Sequence, residues 1–185
     1  MLDKLDDAEA ASVLRKLLGR HRELRSEAEA IAREMLTGIS PSAVAEDVER
    51  AVLQFDYDDL NGRAGGHSWG YVEPSDAAEE LLEEAVEPFV SDMKRYLEMG
   101  LEDQAWQFCQ GILLGLYQVR DTHNDILSWA PDFPAEAAGN ALEVWSETGG
   151  ARRAGAPANK KPRRISPDFV REHLAEWDWL IKPKS

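Results

Sequence analysis

Three stretches of the chain hold residue types that can do chemistry. In the first, residues 56–72, Asp56, Asp58, Asp59 and Asn61 begin like a calcium loop, in which closely spaced oxygen donors enclose the cation. The pattern then fails. With Asp56 as the first position, Leu60 falls on a ligand position, Asn61 stands where glycine makes the turn, and His67 stands where a bidentate Glu closes the site. The aspartates are therefore read as the cap of a short, water-facing helix. The later part of the same stretch, residues 62–71, is rich in glycine, and glycine frees backbone N–H groups to cradle an anion. This part is read first as an ordered connector that Trp69 and Tyr71 pin to the helices, with Arg63, His67, Trp69 and Tyr71 as the candidate site residues if it takes a small ligand or a partner. No phosphate-loop pattern and no preceding strand supports a nucleotide there.

The second stretch, Asp121, His123 and Asp125, offers metal-ligand types at alternate positions. Residues two apart do not share a helix face, and the other histidines, His21, His67 and His173, are scattered. No metal site is assigned. The third is Cys109, the single cysteine. It has no base near it in sequence and lies in an uncharged segment, where burial raises a thiol pKa and keeps it inert. No catalytic residue and no cofactor is assigned.

The elements that must position these groups are helices. Asp6 with Glu9 fits a capping box ahead of Val13, Leu14, Leu17 and Leu18. A second helical run passes through Leu24, Ala28, Ile31, Ala32, Met35 and Leu36 to Gly38. Ser40-Pro41 supplies a cap and a first-turn proline for a third, through Val44, Val48 and Val52. A fourth run extends from Pro74 to Gly100, where Pro88 is expected to kink or divide it. No segment alternates apolar and polar residues over a strand's length, so the fold class is all-α: a bundle or repeat-like array of antiparallel helices.

From Gln104 to Val119 there is no charged residue, in a chain of which 30% is charged. A helix apolar around most of its circumference is surrounded by other helices. Gly111 and Gly115, four apart, let a neighbouring backbone approach it closely. A last body helix is expected over about 135–147. Ser166-Pro167 then starts a C-terminal amphipathic helix, residues 166–185, with Phe169, Val170, Leu174, Trp177 and Ile181 as its contact residues. Trp177 and Trp179 are the expected anchors, in the chain's own body or in a partner's groove.

Charge divides the chain. The total is −14, from 35 acidic and 21 basic residues. Residues 149–185 hold nine basic residues and four acids, a balance of +5, which leaves 12 against 31, or −19, on residues 1–148. A body so acidic repels phosphate, which argues against a protein devoted to nucleic acid or anionic membranes. The domain reading is thus an acidic helical domain at 1–148, a basic Gly/Ala/Pro-rich linker at 149–165, and the helix at 166–185. The linker is read first as a soluble tether or as a segment docked on the chain's own acidic body, and second as a nucleic-acid contact through Arg152, Arg153, Lys160, Lys161, Arg163 and Arg164. The acidic helix face formed by Glu79, Glu80, Glu83, Glu84 and Glu87 is read as solvated, or as a meeting point for a basic partner.

Phe89, Tyr96, Gly100, Ala105 and Cys109 fall near the spacing of large and small residues in a helical hairpin. Over residues 89–112 the chain resembles a tetratricopeptide repeat, without that family's Leu-Gly pair, its closing proline or a second copy at a period of 34 residues. The resemblance implies partner binding on a helical face.

The single cysteine excludes an intramolecular disulfide, and the opening residues lack the basic head and apolar run of an export signal. A cytoplasmic location without membrane association is expected. The function expected is that of a non-enzymatic interaction or adaptor protein, with a protein partner or a second copy of itself. A small-ligand or enzymatic site in the 62–71 loop and nucleic-acid contact through the linker remain the alternatives.

Overall fold

A computed structural model describes residues 2–68, 70–151 and 164–181. The fold is all-α, with one small hairpin of strands. The chain forms two compact units, Met1–Gly38 and Ile39–Ser185.

The first unit holds α1 (Asp7–Arg20) and α2 (Arg25–Met35), joined by a 3₁₀ turn at Arg22–Leu24. The capping box forms as expected. The Asp6 carboxylate accepts from the Glu9 N–H at 2.8 Å, and Glu9 accepts in return from the Asp6 N–H at 3.2 Å. After α2 the chain turns at Gly38, whose φ of +93° a side chain would resist. Neither α1 nor α2 buries a single residue.

The second unit is built around α6 (Glu102–Val119), which packs against α3 (Pro41–Leu53), α5 (Pro74–Glu98) and α7 (Phe133–Ala151). The uncharged run is the central helix. Ala105, Cys109, Ile112, Leu113, Leu116 and Val119 are fully buried, and burying a side chain the size of Ile or Leu stabilises the fold by about 1.5–3 kcal/mol. The two glycines act as expected. A Cβ on Gly111 would lie 2.5 Å from Val44 Cβ, and one on Gly115 would lie 2.7 Å from the Ala45 carbonyl oxygen. Helices α3 and α6 therefore meet backbone against side chain, with no room for a methyl group.

Helices α5 and α6 form a hairpin whose turn is set by Gly100 at φ +72°. The Leu101 N–H donates to the Tyr96 carbonyl and the Gly100 N–H to Leu97, which satisfies the last carbonyls of α5. Pro88 does not divide α5, which stays one helix of 25 residues. Pro88 and Glu84, whose carbonyl the proline leaves without a donor, both lie on the exposed face of α5.

Four expectations need correction. Residues 56–72 do break the helical pattern, but they include a short antiparallel pair, β1 (Gly65–His67) and β2 (Gly70–Val72), after the helix α4 (Tyr57–Arg63). Three-residue, glycine-rich strands are too short to alternate detectably. The last body helix runs from Phe133 to Ala151, further than expected at both ends and into the glycines assigned to the linker. The C-terminal segment is not one helix: α8 (Pro167–His173) ends at Leu174, and a 3₁₀ segment, Ala175–Ile181, follows with Trp177 in a non-helical conformation. The stripe shifts with it, to Val170, Leu174, Trp177 and Leu180, and Ile181 is only half-buried. The end of α8 at Leu174 and the kink at Trp177 break the α-helical register that would have brought in 181, and Leu180 is buried in its place.

Among the described residues no helix is long and apolar enough to cross a membrane. Replacing Gly115 by Ala is expected to destabilise the protein by about 1–3 kcal/mol, because the added methyl must displace the α3 backbone. Gly62→Ala on α4, which meets open space, should be neutral or stabilise by up to about 1 kcal/mol. Denaturant unfolding of both variants checks the contrast.

Candidate functional site

The 56–72 segment is built as a ledge on α5. Asp56 caps α4, its carboxylate accepting from the N–H groups of Asp58 and Asp59, while Asp59 accepts from the Asp56 N–H. The calcium-like aspartates thus serve as a helix cap. At the other end of α4, Arg63 reaches across to α5 and grips Glu84 with both arms, Nη1 to Oε1 at 2.8 Å and Nη2 to Oε2 at 2.5 Å, with Glu80 at 3.9 Å. This hydrogen bonding holds the Glu84 carboxyl below its ordinary range and raises the Arg63 guanidinium. His67 Nε2 donates to the Arg63 carbonyl at 2.7 Å. Arg63 and His67 are therefore brought together, but their polar groups are turned into the fold's own bonds rather than toward a common ligand. Tyr71 lies on the exposed strand β2, and Trp69 lies outside the described residues.

The C-terminal contact residues are placed on the chain's own body. Phe169 packs edge-on to Trp106, with ring centroids 5.8 Å apart, and Trp177 edge-on to Tyr117 at 5.1 Å. Trp179 is partly exposed and lies over Gly139 of α7, where an added Cβ would be 3.4 Å from the ring. Sequence reasoning missed the residue that organises this docking, Arg120. Its guanidinium lies 3.6 Å from the centre of the Tyr117 ring, donates from Nη1 to the Tyr117 carbonyl at 2.6 Å, and pairs with Glu176 and Asp121, each at 3.0 Å. The one available signal is that Arg120 is the first charge after sixteen uncharged residues. Its hydrogen bond lowers the Glu176 carboxyl.

Of the basic residues assigned to the linker, Arg152, Arg153, Lys160, Lys161 and Arg163 lie outside the described residues, and Arg164 is exposed. Asp121, His123 and Asp125 stand exposed on the turns after α6. Among the described residues no three His, Cys, Asp or Glu side chains gather as a metal-ligand set. Cys109 is fully buried, and burial pushes its thiol well above its usual range.

A small hollow of about 210 Å³ is lined by Arg120, Asp121, His123 and Asn124, and another concave feature lies elsewhere. Helices α5 and α7 enclose a groove of about 550 Å³ whose floor is Val86, Val90, Phe133, Ala137, Ala141 and Val144. Glu79, Glu80, Glu83, Glu84, Glu87 and Glu136 line its walls, with Lys94 as the one cation lining it among the described residues. Arg63 engages Glu84 and Glu80, and the Ser91 hydroxyl donates to Glu87. Glu79, Glu83 and Glu136 make no ion pair among the described residues. An apolar floor between carboxylate walls can hold a segment that is apolar on one face and cationic at its flanks.

Comparisons with protein-family models, curated proteins and solved structures return no match to the chain.

The Arg120–Glu176 pair gives the docked C-terminal segment a pH dependence. The Glu176 carboxyl lies lower when docked than its ordinary value of 4.5, so the pair contributes fully above about 4.5 and is lost as pH falls through the lowered value. Near-UV circular dichroism of the tryptophans on acid titration should show wild type more stable than Glu176→Gln above that range, with the two curves converging below it.

Proposed function

We propose that this chain is a non-enzymatic helical interaction protein of the cytoplasm that receives a basic, amphipathic protein segment in the groove between α5 and α7. The observation that carries this reading is the pairing of an apolar floor with six carboxylates on one concave surface. Val86, Phe133, Ala137 and Ala141 are buried in the fold itself, so half-buried Val90 and Val144 are the apolar surface a partner covers, and the surrounding carboxylates supply most of the attraction, the rate and the selectivity. The unit that holds the groove, residues 39–185 at −13, draws cations toward itself and turns away phosphate. The single, inert, buried thiol accords with a reducing compartment.

Two surfaces considered from sequence are less available. Arg63 is committed to Glu84, which weakens the case for an anion site in the 62–71 loop. Val170, Leu174 and Trp177 are buried in their own chain, which favours the groove over the C-terminal stripe as the partner surface.

A synthetic Leu/Lys peptide, helical and apolar on one face, serves as the probe, with a scrambled peptide of the same composition as control. The chain should bind the first more tightly, and rising salt should weaken it. Glu79→Gln, Glu83→Gln and Glu136→Gln together should cost about tenfold in affinity, consistent with a few tenths of a kcal/mol for each exposed charge. Val144→Asp should cost more, by placing a charge on the floor. Equal binding of both peptides, or no effect of either set of substitutions, contradicts the reading; fluorescence titration provides the measurement.

A further inference from the structure

The first unit carries an apolar seam that its own fold leaves uncovered. Ala10, Leu14 and Leu17 on α1, and Ala28, Ile31 and Met35 on α2, recur at spacings of three and four, the repeat of a helix-packing seam. Leu14, Leu17, Ile31 and Met35 are all exposed, Met35 to 79%. Helices of 14 and 11 residues are marginal in water by themselves, and a unit of 38 residues is below the size at which a domain ordinarily builds its own core. Something has to cover the seam.

Charge indicates what. Residues 1–38 hold seven basic and eight acidic residues, nearly neutral, whereas residues 39–185 hold 14 against 27, or −13. Two copies meeting through their larger units would repel, and two meeting through this one would not. Within it the signs are segregated: the second half of α1 carries Arg15, Lys16 and Arg20 and no acid, while α2 carries Glu27, Glu29 and Glu34 against Arg25 and Arg33. The basic half of α1 in one copy therefore complements α2 in another, and a two-fold axis satisfies both pairings at once.

We propose that residues 1–38 are a self-association element, in which α1 of one copy packs on α2 of a second copy and the two apolar seams close on each other. The inference is independent of the groove between α5 and α7.

Sedimentation equilibrium of the full chain over a concentration series tests it. Wild type should reach twice its 20.7 kDa mass, and Leu14→Asp with Ile31→Asp should return it to the monomer. All six tryptophans lie beyond residue 38, so an unchanged near-UV spectrum would show that the larger unit of the variant is still folded. Reversing Arg15, Lys16 and Arg20 to Glu should weaken association about tenfold, and reversing Glu27, Glu29 and Glu34 to Lys in the same chain should restore it. A monomeric wild type, or a dimer that survives the aspartates, overturns the proposal. Failure of the combined reversal to restore association overturns the α1–α2 pairing.

Discussion

The second unit depends on the approach of α3 to Gly111 and Gly115 of α6. With Val44 and Val48 seated over the two glycines, the backbones come closer than any side chain at those positions would permit. That contact places α6 at the centre, and its other faces are then closed by α5 and α7. The absence of charge from Gln104 to Val119 has the same cause, because a helix covered by three others has almost nowhere to put an ion. Of that run only Gln118 is exposed.

An acidic chain must also manage its own repulsion, and two arginines serve that end within the second unit. Arg63 ties the 56–72 segment to α5 through Glu84, and Arg120 ties the C-terminal segment to the end of α6 through Glu176. Each fastens an irregular segment to the helical core with a charge-assisted bond, and Arg120 adds the face of Tyr117. The two contacts consume Glu84 and Glu176 but leave Glu79, Glu83 and Glu136 without ion pairs among the described residues. The acidic face is therefore only partly neutralised where it borders the groove, and a cationic partner would complete it.

Local signals were legible in the sequence. The caps at Asp6, Ser40 and Asp56, the close approach at Gly111 and Gly115, the turn at Gly100 and the burial of α6 each rest on residues a few positions apart, and each appears in the structure. Contacts between distant residues were not. Arg63 and Glu84 are 21 positions apart and Arg120 and Glu176 are 56 apart, so no spacing rule links them. The acidic face of α5 was visible as a row of glutamates, but the apolar wall opposite, from Phe133 to Val144, belongs to a helix whose neighbour only the fold determines. The C-terminal stripe differs by one residue because the α-helical spacing that brings in Ile181 ends with α8 and is broken again at the kink of Trp177.

The proposed receptor for a basic partner is the groove between α5 and α7, rather than the glycine-rich hairpin or the C-terminal segment. Backbone amide shifts of the labelled chain, followed during titration with the amphipathic Leu/Lys peptide, test it most directly. Saturable shifts are expected on residues 79–94 of α5 and 133–144 of α7, with residues 62–71 and 166–181 little changed. Shifts centred on either of those last two segments, or none that saturate, would contradict it.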